Sequence, residues 1–284
     1  MSFAAAFVID DASELGRSAH TLLRGAGLAE TLADAEPSAP RVLLVDASDE
    51  VVRAAIRRKP SRVVHVMQAL PLPGEVALAA IPGVGVRTLT ATLTVTGGPP
   101  TWGALQVRAA PYLEGLLPRL ALALASGRFL SAAPDGEAAY VAHEDAAMLA
   151  ATLLASDIHE PDPLFMTGPT SFSHRSLCRL VSELFAREVR VEPVPFEALP
   201  RALSQGGLSP EQAALSLRTD QLLASDACSA PSSAGPRITG MAPLALPAFL
   251  ARVRERLDAA VRQGHVSPSQ LPRAAHGEGL SAYR

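Results

Sequence analysis

Three short apolar runs, each followed by a helical stretch, constrain this chain most. "FAAAFVI" (3–9), "RVLLVDASD" (41–49) and "SRVVHVMQAL" (61–70) are built around Val, Leu, Ile and Ala and carry no alternating polar face. A strand that must be apolar on both sides is buried on both sides, which is the condition of a parallel sheet between two layers of helix. The segments between them fit such helices: about 13–26, ending near Gly25 and Gly27, and "DEVVRAAIRRK" with Asp49 as an N-cap. "GEVALAAI" reads as a short helix, and "VRTLTATLTV" (86–95) and "ALQVRAA" (104–110) as further strands. This alternation predicts an α/β fold with a parallel sheet covered by helices on both faces. The tail at 263–284 is expected to be disordered.

The texture changes after residue 115. "GLLPRLALALASG" is helical, and "AAYVAHEDAAMLAATLLAS" reads as a short strand and a helix opened by Glu144 and Asp145. "SHRSLCRLVSELFAR", "PEQAALSLRTDQLLAS" and about 247–262 are further helices, "EVRVEPVPF" is extended, and "SDACSAPSSAGPR" (225–237) is a loop by composition. With 48% hydrophobic and 19% charged residues in 284, a net charge of −3 offers no basic surface for nucleic acid or anionic membrane. Cys178 and Cys228 have no metal or redox spacing, and Cys178 falls on a helix as a buried thiol. The longest apolar stretch is broken by Pro118 and Arg119, and the N-terminus lacks a basic signal region, so a cytoplasmic protein is expected.

Several segments resemble the NmrA-like branch of the atypical short-chain dehydrogenase/reductases, which includes the festuclavine dehydrogenases. "AAYVAHEDAAMLAATLL" is similar to the family's "pfVdvrDvAevaaaaL", with Asp145 at its Asp. "FMTGPTSFSHRSLCRLVSELFAREVRVEPVPFEAL" is similar to its "tGPealsyaevaailsevlGrpvryvpvpee", and "VRAAPYLEGLL" to "LRPxxFMENL", with Tyr112 at the Phe. The resemblance spans roughly residues 5–257. It implies a Rossmann-type doubly wound parallel sheet with a small C-terminal α/β substrate domain: a dinucleotide-binding-type domain over 1–125, its sheet completed by 138–168, and a small subdomain mostly over 126–262. It does not assign a reaction.

The chain reads as a degenerate member because of its first turn. The family's "TGATGxLGR" is here "IDDASELGR": Asp10 and Ser13 replace two glycines, while Gly16 and Arg17 persist. The lost glycines are those that permit the tight turn and the close approach of a pyrophosphate; the retained one permits helix–strand packing. A carboxylate about 5 Å from a diphosphate at an effective dielectric of about 20 costs roughly 3 kcal/mol, or about a hundredfold in affinity. "DASE" also matches a capping box, with Asp11 accepting from the helix amides and Glu14 reaching back. The expectation is a self-capped turn and no cofactor, with NAD(P) bound only if the nucleotide takes a shifted pose over Ser13, Gly16 and Arg17. A Tyr-x-x-x-Lys pair is absent, because the only lysine is Lys59.

Ligands of open α/β sheets bind beyond the strand carboxyl ends. The candidate pocket residues there are Met67, Gln68, Thr94 and Trp102, with Tyr140 from the small domain; the candidate acid–base groups are Asp10, Asp11, Tyr112 and His143. Each has a plainer reading: packing for Trp102 and Tyr112, a helix start for His143, a solvated helix arginine for Arg17. The pocket suits an apolar small molecule, and the oligomeric state is open. Three functions follow. One is a non-redox enzyme of secondary metabolism that cyclises, isomerises or dehydrates an apolar intermediate. The second is an NAD(P)H-dependent reductase with an atypical phosphate loop. The third is a non-catalytic ligand-binding or regulatory protein.

Overall fold

The computed structural model describes residues 7–9, 14–25, 41–45, 62–68, 84–86, 93–95, 103–156 and 164–262. Expected helices at 49–59 and 74–81 and the expected tail at 263–284 lie outside the described residues. The chain divides into two compact units. The first comprises Met1–Ala110, Val141–Pro169 and Ser232–Pro243; the second comprises Pro111–Tyr140, Thr170–Pro231 and Leu244–Arg284.

In the first unit, β1 (Phe7–Ile9), β2 (Arg41–Val45), β3 (Arg62–Gln68), β6 (Gly103–Ala109) and β9 (Leu164–Met166) form one five-stranded sheet in the order β1-β2-β3-β6-β9. Every pairing in it is parallel, with Phe7 opposite Arg41, Arg41 opposite Arg62, Arg62 opposite Gly103 and Val107 opposite Leu164. The apolar runs thus became the parallel sheet that the α/β reading required. The described strands follow chain order across the sheet, with no reversal among them. Val64 and Val66 of β3 are fully buried. Helix α1 (Glu14–Gly25) packs against α3 (His143–Ala155), which also lies on β2 and β3. Seven residues of α3 are buried, all of them alanine or leucine, and Ala19 and Leu23 are buried on α1. Small residues let the two helices and the sheet approach closely. The segment 86–95 is not one strand: β4 (Val84–Val86) and β5 (Leu93–Val95) form a separate antiparallel pair.

The second unit holds a 3-10 turn (Leu113–Leu116), α2 (Leu117–Ser126), β7 (Arg128–Ser131), β8 (Glu137–Ala138), β10 (Phe172–Ser173), α4 (His174–Phe185), β11 (Arg190–Pro193), α5 (Leu199–Gln205), α6 (Pro210–Ala224) and α8 (Leu246–Arg262). β11 runs parallel to β7, and β10 antiparallel to β8. Two helix starts are written in the sequence: Ser173 caps α4 and Ser209 caps α6, each with a reciprocal bond from the third residue on, Ser176 and Gln212. Pro118 and Pro210 sit in first turns, where a missing N–H costs nothing. Gly127 ends α2 at φ 75, a left-handed cap that only glycine adopts freely. Leu199, Leu203, Leu208 and Ala213 bury a small core between α5 and α6.

The segment 225–237 is not all loop. Ala234–Thr239 is a short helix, α7, in the first unit, packed on α3 and β9. Gly235 lies so close to Met166 that a Cβ there would meet its sulfur at 2.5 Å. Among the described residues, no helix is long and apolar enough to cross a membrane.

Candidate functional site

The parallel sheet has all its carboxyl ends at one edge, and α1 begins there, five residues after β1 ends. Gly16 and Arg17 occupy the first turn of α1. The first N–H groups of a helix have no partner within it, so this turn carries amide donors, and Arg17, half-buried, belongs to the same turn. Met67 and Gln68 end β3, two strands away in the sheet, or about 10 Å at the usual strand spacing. His143, half-buried, is the first residue of α3, whose N-cap residue Ala142 offers no side-chain oxygen; Glu144 and Asp145 in that first turn suit the helix dipole. The first unit therefore carries Gly16, Arg17, Met67, Gln68 and His143. Asp10, Asp11, Ser13 and Trp102 lie outside the described residues. Thr94 does not end a strand of the parallel sheet; it sits in the middle of β5, opposite Gly85.

Tyr112 and Tyr140 belong to the second unit. Tyr112 precedes the 3-10 turn, three residues after β6 ends, and is 5% exposed. Tyr140 is buried, stacked on Phe172 with ring centroids 4.7 Å apart, and its hydroxyl lies 3.1 Å from Nε2 of His174. It is a core residue of this unit with its polar atom satisfied.

Tyr140 leads into a polar cluster that sequence reasoning missed. His174 Nδ1 is 2.8 Å from Ser131 Oγ. Ser131 donates to Asp220 Oδ2 at 3.3 Å, and the Ala132 N–H donates to the same oxygen at 2.7 Å. Arg119 Nη1 donates to Asp220 Oδ1 at 2.7 Å, Nη2 donates to the Leu130 carbonyl, and the guanidinium lies 4.5 Å from the Phe129 ring centre. Ser131, His174 and Asp220 have no exposed surface, and Arg119 has 3%. Burial pushes the Asp220 carboxyl up, but Arg119, His174 and the Ala132 N–H outweigh it and hold it below the usual carboxylate range. Burial, reinforced by the Arg119 charge, drops His174 to about 3, so the ring is neutral. Burial also raises the Tyr140 hydroxyl well above its ordinary value and pushes the Cys178 thiol up to about 12. A serine, a histidine and an aspartate meet here, yet not as a nucleophile: serine and aspartate both lie on the Nδ1 side of the ring, and none reaches solvent. Among the described residues, no group of His, Cys, Asp and Glu is placed to hold a metal ion.

No protein-family model and no curated protein sequence matches the chain. Solved structures do. The chain is similar to the NADPH-dependent quinone oxidoreductase QOR2 of Escherichia coli in its NADPH complex, at 15% identity and a TM-score of 0.64, over 88% of this chain and 99% of that one. It is also similar to a nucleoside-diphosphate-sugar epimerase from Staphylococcus aureus, at 14% and 0.61, over 87% and 99%. The triphenylmethane reductase of Citrobacter sp., complexed with NADP(H), aligns at 14% and 0.60, over 87% and 99%. The chain thus shares the Rossmann-type α/β fold of these structures over most of its length.

This corrects the expectation of a chain without a cofactor, since structures sharing the scaffold end to end include NADPH and NADP(H) complexes. The amide donors of α1 and Arg17 act in the opposite sense to the acids of the first turn, and together they are of the type a diphosphate needs.

Proposed function

We propose that this chain is an NAD(P)H-dependent reductase acting on an apolar small molecule. The observation that carries the reading is the likeness of fold over nearly the whole of two NADPH- or NADP(H)-complexed reductases. The donor set at the start of α1 supports it. In this reading the first-turn amides of α1 and the Arg17 guanidinium hold the diphosphate, and Gly16 keeps the helix close to the sheet. Met67 and Gln68 end β3 at the same edge of the sheet. The nicotinamide, when bound, supplies the hydride. His143 stands at the start of α3 as an acid–base group, which the chain requires because it has no tyrosine–lysine pair. Asp10, Asp11 and Glu14 weaken the hold on the diphosphate without abolishing it, each by up to about a hundredfold if it stays ionised and close.

The test is turnover of a panel of apolar carbonyl and quinone compounds in the presence of NADPH or NADH, followed through the loss of reduced nicotinamide. Oxidation that depends on the compound supports the reductase. Conversion of a compound with no net loss of nicotinamide assigns the finer alternative, an isomerisation, cyclisation or dehydration on the same scaffold. Conversion or binding of neither rejects the reading.

A further inference from the structure

The polar cluster of the second unit has a direction, and the direction can be worked out from its geometry. Asp220 faces Arg119 at 2.7 Å and takes the Ala132 N–H at 2.7 Å. A carboxylate so paired is an acceptor only. The Ser131 hydroxyl, 3.3 Å from Asp220, therefore points its proton at the carboxylate. One lone pair of Ser131 Oγ is taken by the Ala133 N–H at 3.1 Å. The remaining one faces His174 Nδ1 at 2.8 Å, so Nδ1 must bring the proton. A neutral imidazole then leaves Nε2 bare, and the Tyr140 hydroxyl, 3.1 Å away, donates to it.

We propose that Tyr140, His174, Ser131, Asp220 and Arg119 form a one-way hydrogen-bond chain that locks the second unit, with its polarity set at the Asp220–Arg119 end and His174 held as the single Nδ1–H tautomer. The chain ties α2, β7, α4 and α6 to Tyr140, the last residue of this unit before the sequence passes to Val141. Among the described residues, the imidazole faces Ser131 and Phe129 from β7, Tyr140, Asp220 from α6 and Arg119 from α2. Because the direction is set at the Asp220 end, the loss of Ser131 or Asp220 frees the protons that depend on it, whereas the loss of Tyr140 leaves the direction unchanged. The members are therefore strongly coupled. The proposal is independent of the reductase reading.

Nitrogen-resolved NMR of the full-length chain tests it, with His174 assigned by its disappearance in His174→Gln. The expected spectrum has Nδ1 protonated and Nε2 bare, unchanged from about pH 8 to about pH 5, a range across which an ordinary histidine titrates. A protonated Nε2, or a ring that charges near the ordinary histidine value, overturns the proposal. Tyr140→Phe should keep the Nδ1–H tautomer, since the polarity comes from the other end; a switch to Nε2–H overturns it. Ser131→Ala should give a mixture of tautomers if it folds, and retention of a single tautomer counts against the chain. Combining Tyr140→Phe with Ser131→Ala should also depart from additivity by about threefold or more in the unfolding constant; additive effects would contradict the coupling.

Discussion

Asp220 is the residue on which the interior of the second unit turns. It takes two bonds from Arg119, one from the Ala132 N–H and one from Ser131. Asp220→Ala should lower the stability of the unit by about 3–5 kcal/mol, because it leaves a buried guanidinium without its counter-charge; chemical denaturation followed by circular dichroism measures this. Acid should act the same way. The folded value for His174 is about 3, below its unfolded value, so between the two the unfolded chain binds the extra proton. The stability this represents is complete above the unfolded value and is lost as pH falls towards 3, at up to about 1.4 kcal/mol per pH unit. Asp220, also lowered, adds its loss below the usual carboxylate range. Unfolding midpoints that stay flat through this window would contradict the neutral buried ring. Little of this was legible in the sequence. Ser131, His174 and Asp220 stand 43 and 89 residues apart along the chain from Ser131, so no spacing announces them. The available hint was a polar residue inside an apolar pattern, as Arg119 is within "GLLPRLALALA".

Element boundaries were more readable, because caps and breakers act locally. Ser173 and Ser209 stand before their helices, and Ser173→Ala and Ser209→Ala should each cost about 1 kcal/mol, read as a lower denaturation midpoint. Gly136 is a different case. A Cβ there would come within 2.6 Å of the Leu223 carbonyl oxygen at the end of α6. Gly136→Ala should therefore destabilise the unit by about 1–3 kcal/mol as backbone gives way. Helix α7 escaped notice because Gly235 and Pro236 read as loop. The glycine is there for the close approach to Met166, a tertiary cause that composition does not carry. Thr94 was misplaced for a related reason. β-branched residues favour extended chain, but they do not say which sheet receives it.

For the whole molecule, the fold class was legible because continuous apolar runs suit parallel strands, and every described pairing of the five-stranded sheet is parallel. The cofactor was not. Three acids near one helix start are plain in the sequence, whereas the opposing donors take effect only once β1 and α1 are placed at the sheet's edge. The central claim is that this edge still accepts a dinucleotide. The direct measurement is a calorimetric titration of the full-length chain with NADPH and NADH, repeated for Arg17→Glu and Asp10→Gly. The account predicts saturable binding, weaker by tenfold or more in Arg17→Glu and tighter in Asp10→Gly. No heat of binding from either nucleotide, with Asp10→Gly equally silent, would contradict it.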